Sequence, residues 1–523
     1  MRVELKGRVL NPGICVGPVF ELRQPVNLDK RFSEDELLGA IERLRKKYES
    51  YDDYLMQARS LILEDEEFLK ILTAPLKSKG YIEAKDFDDA KQQIEQIFSN
   101  VANDYVKERL YDFKDIIESI KMELFGTTLR LSEKSIVYAH EIYPSFIIEN
   151  RDKILGIIAL KGSETAHATI LARNFDIPYV VNVELLGKIA MILPDGTVIF
   201  DPTDDDFARY EQIQRNYRAQ KDMQEKFKNV DIVVNGQSIH FMANVGTIEE
   251  ADFVDVEVGL LRTEFLLESK PDFEFQYNVY KKIAQKIGKP ITLRTFDIGG
   301  DKEFEFLNLP KENNPFLGKR GVRLYDVLHD LINDQVEAVF RLVKEGYPFK
   351  IMIPMVSDLR EIYEFHERFI APRILRYGVK PPYGIMIETP SIALSYHHAR
   401  DILDFASIGT NDLLQYTVAV ERGNESISHL YDHLNIGFLK LIELITSKSA
   451  GIELSVCGES ARIPELVYFY VSKGIRRLSM SYNAISKIKY FLSRFSTIDD
   501  VEVDENTPER LREVVRWAFS KEN

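Results

Sequence analysis

The 523-residue sequence predicts an α/β protein of several domains that closes with a (β/α)8 barrel. Eight short apolar or β-branched runs follow Val230, near residues 239–244, 256–262, 291–297, 349–355, 383–389, 405–411, 454–459 and 476–481, with helix-like segments between them. Ahead of them, a long block of helical pattern interrupts a smaller set of strands. A polar stretch, residues 204–229, separates the halves.

Residues 8–21 read as extended, with a turn at Asn11-Pro12-Gly13. Ser33-Glu34-Asp35-Glu36 has the pattern of a capping box, and Leu37, Ile41, Leu44, Tyr48, Tyr51 and Leu55 follow at helical spacing. A second amphipathic run carries Ile94, Ile97, Val101 and Tyr105, and Gly126 closes the block before strands resume near Ser135. These stripes are read as the core of a helical bundle inserted into a smaller α/β domain. Residues 154–160 read as a strand and 161–164 as a turn. A helix then starts at Thr165, its N-cap, with His167 in the first turn. Free backbone N–H groups and the helix dipole there favour an anion on or near the ring, which suits a phosphorylated imidazole. The 204–229 stretch has sparse apolar residues (Phe207, Tyr210, Ile213, Tyr217) and reads as a solvated connector helix, the natural place for a hinge.

A net charge of −15 argues against nucleic acid or an anionic membrane as partner. The two cysteines, Cys15 and Cys457, suggest no disulfide framework. Neither a signal-peptide pattern nor an apolar run of bilayer length is present, so a cytoplasmic protein is expected.

In a (β/α)8 barrel the C-terminal strand ends share one mouth. The runs above therefore place Arg262, Arg294 with Asp297, Glu388, Asn411 with Asp412, and Cys457 as neighbours. The stretch from Phe405 to Arg422 is the most informative of these. A strand stops there in Gly409, Thr410, Asn411 and Asp412, followed by Gln415 and Arg422: a carboxylate, an amide and a guanidinium, suited to a metal-bound phosphate.

With Gly162, Thr165, His167, Ala172 and Arg173 in one half and residues 407–422 (SIGTNDLLQYTVAVER) in the other, the chain resembles the phosphoenolpyruvate-utilising enzymes. Among them it is similar to the enzyme I group, the phosphoenolpyruvate–protein phosphotransferases of the bacterial sugar phosphotransferase system. Residues 259–265 (GLLRTEF), 294–303 (RTFDIGGDKE), 314–320 (NPFLGKR) and 428–431 (SHLY) extend the likeness through nearly the whole chain. The resemblance implies that Arg262, Arg294 and Arg422 bind the phosphate and carboxylate of phosphoenolpyruvate, with Arg320 close by and Asn411 orienting the phosphate. It implies that Glu388 and Asp412 hold Mg2+, that Cys457 protonates the departing enolpyruvate, and that His167 carries the phosphoryl group to a small HPr-like histidine phosphocarrier protein. It further implies a phosphohistidine α/β domain (1–21 and 127–203), a helical phosphocarrier-binding subdomain (22–126), the connector (204–229) and a phosphoenolpyruvate-binding barrel (230–523) that pairs as a homodimer. Three places depart from the group's pattern. Ile147 stands where a threonine usually meets the active histidine, Gly162-Ser163-Glu164 replaces Gly-Gly-Arg, and Glu459-Ser460-Ala461-Arg462 replaces Glu-Leu-Ala-Gly. The rival expectation is a catalytically slow regulator that senses the phosphoenolpyruvate-to-pyruvate ratio on the same scaffold.

Overall fold

The computed structural model describes the chain except residues 1, 23–29, 50–58, 61, 99–103, 126–129, 163–166, 247, 249, 268–270, 300–311, 422–423, 425–426 and 521–523. Two compact units result, Met1–Lys221 and Asp222–Asn523, each with its own core.

In the first unit, strands β1 (Val3–Lys6), β2 (Arg8–Asn11), β3 (Cys15–Glu21), β4 (Ser135–Ala139), β5 (Ile154–Ala159), β6 (Tyr179–Val181), β7 (Ile189–Ile192) and β8 (Thr197–Phe200) form one sheet in the order β1-β8-β7-β3-β4-β5-β6-β2. Its centre, β3 through β6, is parallel and its flanks antiparallel. Consecutive residues on a strand point to opposite faces, so Val137 and Ile157 join one core cluster while Ile136 and Ile158 join the other. The first cluster is covered by the helices Pro144–Asn150 and His167–Asn174 through Phe146, Ile147, Ala168, Leu171 and Ala172.

Among the described residues, the helices α1 (Glu34–Glu49), α2 (Glu66–Lys79), α3 (Ala84–Phe98) and α4 (Asp104–Phe125) lie between β3 and β4 in the chain. The capping box at α1 forms: Glu36 N donates to Ser33 Oγ (3.3 Å) and Ser33 N to Glu36 Oε2 (2.8 Å). Leu37, Ile41, Leu44, Tyr48 and Ile94 enter one core with residues of α2 and α4. The run from Ile94 to Tyr105, read in the sequence as one stripe, is divided between α3 and α4. Tyr51, Leu55, Val101, Gly126 and Thr165 lie outside the described residues. A buried ion pair, Arg59 with Asp115 (2.6 Å), also accepts the Ser145 hydroxyl (2.6 Å) and so ties the helical block to the helix Pro144–Asn150.

A helix, Asp204–Lys226, follows β8. It opens on Asp204, Asp205 and Asp206, and the Asp206 carboxylate accepts from Thr203 N (2.9 Å), opposite the dipole's positive end. Tyr210 is its buried anchor, packed with Met191, Leu193 and Ile199; most of the rest is polar and solvated.

In the second unit, β10 (Gln237–Val245), β11 (Val258–Leu261), β12 (Ile291–Arg294), β13 (Phe349–Ile353), β14 (Tyr383–Ile387), β15 (Phe405–Gly409), β16 (Glu453–Cys457) and β17 (Arg477–Ser481) pair in sequence, all parallel, and β10 pairs with both β11 and β17. The sheet is a closed barrel of eight strands, as the sequence predicts. A short β9 (Ile232–Val234) adds antiparallel to β10. Parallel strands bury both faces, so β14 (YGIMI) and β15 (FASIG) are buried at every position. Leu260, Met352, Met386, Phe405 and Cys457, from five different strands, pack together in the interior. Among the described residues no helix is long and apolar enough to cross a membrane.

Candidate active site at the barrel mouth

The C-terminal strand ends bring together six charged side chains, nearly all sealed from solvent. Arg294 ends β12 and donates from Nη2 to Glu264 Oε1 (2.9 Å), with Nη1 3.3 Å from Asp297 Oδ2. Arg320, only 2% exposed, is shared between two carboxylates. It meets Asp297 through Nε (3.1 Å) and Nη2 (3.0 Å), and Asp412 through Nη1 (2.9 Å) and Nη2 (3.2 Å). Such two-bond pairing needs a planar guanidinium. Asp412 lies in the first turn of the helix Thr410–Val418, which starts directly after β15.

Glu388 follows β14 and is 2% exposed. Its Oε2 accepts from the backbone N–H of Met355 (2.8 Å), and among the described residues it has no ion-pair partner. Met355, itself buried, holds a left-handed backbone (φ 57°), a cost that the surrounding packing must meet. Gly409 gives Glu388 room: a Cβ there would stand 2.6 Å from Glu388 Cγ. Burial pushes the Glu388 carboxyl up to about 7, helped by Asp412 and Asp297 and opposed by Arg294 and Arg320.

The four buried carboxylates, Glu264, Asp297, Glu388 and Asp412, lie with two buried guanidiniums, and among the described residues Glu388 is the one without an ion-pair partner. A buried carboxylate so placed, with Asp412 near it, fits a divalent cation. Among the described residues no group of three or more His, Cys, Asp or Glu is placed to hold a metal ion. Carboxylate oxygens, with waters and substrate oxygens for the rest, are the donors that Mg2+ favours.

Cys457 ends β16, fully buried, and its Sγ donates to the Ile408 carbonyl (3.6 Å). Burial lifts its pKa to about 11, so it is a thiol at neutral pH. Gly458 beyond it has φ 109°, and a Cβ there would stand 2.6 Å from Thr410 Oγ1. Three buried hydroxyls brace this turn: Tyr470 OH donates to Ser460 Oγ (2.8 Å), Ser460 Oγ to Thr410 Oγ1 (2.7 Å), and Thr410 Oγ1 to the Cys457 carbonyl (3.2 Å). Ser460 is one of the departures from the group's pattern and has a defined place here.

Of the residues singled out from the sequence, Arg294, Arg320, Glu388, Asp412 and Cys457 meet at the mouth, and Asn411 is half-buried beside Asp412 with its carbonyl accepting from Tyr431 OH (2.8 Å). Arg262 follows β11, exposed and without a carboxylate partner among the described residues, and its charge reaches Cys457. His167 is the first residue of the helix that follows β5. Arg422 lies outside the described residues. Ile147 is fully buried in the helix Pro144–Asn150 and serves the core. Sequence reasoning placed Asp297 at the mouth beside Arg294, where it is found, but passed over Glu264, although it sits within a motif already noted. Nothing in the sequence flags Met355.

Residues 220–497 match a family profile described as "PEP-utilising enzyme, PEP-binding domain", and residues 131–203 one described as "PEP-utilising enzyme, mobile domain". This chain belongs to the PEP-utilising enzyme family and is an enzyme of that class. Curated relatives named phosphoenolpyruvate-protein phosphotransferase run along almost its full length. That of Priestia megaterium is 30% identical, covering 99% of this chain and 100% of the relative. That of Borreliella burgdorferi is 32% identical, covering 95% of each. That of Listeria monocytogenes is 31% identical, covering 98% of this chain and 99% of the relative.

Proposed function

We propose that the chain is a phosphoenolpyruvate–protein phosphotransferase of the enzyme I kind. It takes the phosphoryl group from phosphoenolpyruvate onto His167, releases pyruvate, and passes the group to an HPr-like phosphocarrier. The observation that carries this reading is the buried constellation at the barrel mouth, in which two arginines, an unpaired glutamate, an aspartate at a helix start and a protonated cysteine converge.

Phosphoryl transfer asks for positioning and charge neutralisation more than for covalent chemistry. Arg262, which has no carboxylate partner among the described residues, Arg294 and Arg422 would offer their guanidiniums to the phosphate and carboxylate of the substrate. Arg320 holds Asp412 in place while Asn411 orients the phosphate. Glu388 and Asp412 would hold Mg2+, which when bound neutralises charge on the phosphate oxygens. His167 attacks phosphorus in line, the bridging P–O bond breaks, and the enolpyruvate so formed takes a proton at C3 from Cys457.

One imidazole has to serve two partners, so the reading includes motion of the His167 domain about the 204–229 connector, with the carrier docking on the helical subdomain, residues 22–126. A cytoplasmic homodimer paired through the barrel completes it. The domain boundaries, 1–21 with 127–203 for the phosphohistidine domain and 230–523 for the barrel, belong to the same proposal.

The decisive experiment is incubation with labelled phosphoenolpyruvate and Mg2+, mapping acid-labile phosphate by mass spectrometry with and without a candidate carrier. Label on His167, transferred to the carrier and absent from His167→Ala, is expected. A His167→Ala protein that still charges the carrier contradicts the proposal. Binding of phosphoenolpyruvate without pyruvate release supports the regulator instead.

A further inference from the structure

We propose that Ser407 is the positioning residue for the proton donor. Its hydroxyl turns to the sulfur of Cys457 when the thiol gives up its proton, and holds the negative charge left there. This rests on the reading of Cys457 as the acid.

The β15–β16 register sets Gly409 opposite Cys457 and Ser407 opposite Ser455. Residues two apart on a strand share a face, so Ser407, Gly409, Ser455 and Cys457 lie on one face of the ladder. Gly409 has no side chain, and its place is filled by Glu388. The side chain on β15 diagonally adjacent to the thiol is therefore Ser407.

Ser407 is 1% exposed, and its Oγ makes no hydrogen bond to any described group. A buried hydroxyl without a partner is a cost that alanine would remove, so its presence in this strand calls for an acceptor that exists only in another state. Cys457 supplies that state. At rest its S–H donates to the Ile408 carbonyl (3.6 Å). Once the proton has gone, that bond is lost and the carbonyl oxygen faces an anion. In the transfer the S–H bond breaks, a C–H bond forms at C3 of enolpyruvate, and the electron pair remains on Sγ. Ser407 then rotates its O–H to Sγ and keeps its own proton.

The test uses the full chain with Mg2+ and trideuterated pyruvate, following loss of deuterium from C3, alongside kcat and KM for pyruvate formation from phosphoenolpyruvate. Ser407→Ala is expected to slow deuterium loss by about tenfold or more, as for a hydrogen bond to a charged group. It should lower kcat, leave KM for phosphoenolpyruvate unchanged, and leave thermal stability equal or higher. Ser407→Thr, which keeps a hydroxyl, should restore exchange. If Ser407→Ala exchanges at the wild-type rate while Cys457→Ala is silent, the role of Ser407 is overturned and that of Cys457 stands. If Cys457→Ala exchanges as fast as wild type, or wild type does not exchange, the acid itself is overturned.

Discussion

Arg320 shows how much one side chain can hold. Its guanidinium is enclosed, and its bonds to Asp297 and Asp412 bridge the segment after β12 and the helix after β15. Arg320→Ala leaves two carboxylates buried without that counter-charge, and a loss of roughly 3–5 kcal/mol is expected in urea unfolding followed by circular dichroism. Arg320→Lys keeps the charge but not the planar fork; it should retain more stability and still lose pyruvate formation by on the order of 10²-fold, through misplacement of Asp412. An unchanged rate would show that Asp412 does not depend on the fork. The hydroxyl chain gives a graded counterpart. Ser460 both donates and accepts, so Ser460→Ala strands Tyr470 OH and should cost about 1–3 kcal/mol, whereas Tyr470→Phe removes only the terminal donor and should cost less. Equal costs would contradict the chain. The mouth residues were legible because a strand end is a place the sequence marks. Arg320 lies off any strand, and its pairing with Asp297 goes with the bridge between Gly299 and Arg320, which no periodicity announces.

At the scale of elements, legibility follows the strength of the local signal. The eight barrel strands are mostly apolar because both faces are largely covered, and each lies at its expected place, with ends overrun where the last residues serve the site. The run read as 291–297 is a strand only to Arg294, because Phe296 and Asp297 turn into a buried loop pinned by the bond from Asp297 N to Glu264 Oε1 (2.9 Å). The helical block was legible as helix but not in its divisions, since Ile94 and Tyr105 continue one spacing across two helices. The start of α1 was marked by chemistry instead. Ser33→Ala removes the acceptor for Glu36 N, and a loss of about 1 kcal/mol is expected in the melting of the first unit. The Glu36 carboxylate is held below its ordinary range by the Ser33 backbone N–H and hydroxyl, so what the box contributes is present at neutral pH and lost on acidification through that lowered pKa. A Ser33→Ala protein with the same melting profile as wild type at pH 7 would show that α1 does not need its cap.

The whole molecule consists of two units with separate cores, Met1–Lys221 and Asp222–Asn523, and the buried carboxylate cluster around Glu388 lies in the second. Two calorimetric transitions are therefore expected, with Mg2+ and the Glu388 titration acting on that of the barrel. The sign follows from Glu388, raised from 4.5 to about 7 by burial, then by Asp412 and Asp297. The folded barrel holds that proton more tightly than the unfolded chain. The stabilisation is complete below pH 4.5 and is lost as pH rises through about 7. Metal-free protein should thus show a barrel transition that falls between pH 5 and pH 8, while the first unit's transition carries no such term. Mg2+ binds the ionised carboxylates, so it should raise the barrel transition strongly at pH 8 and little at pH 5, where the proton already occupies the site. Glu388→Gln removes the titrating group and most of the metal's purchase, and should flatten both dependences while keeping the fold. If Mg2+ moved both transitions equally, or moved the Glu388→Gln barrel as far as wild type, the buried carboxylates at the mouth would not be what the metal reads.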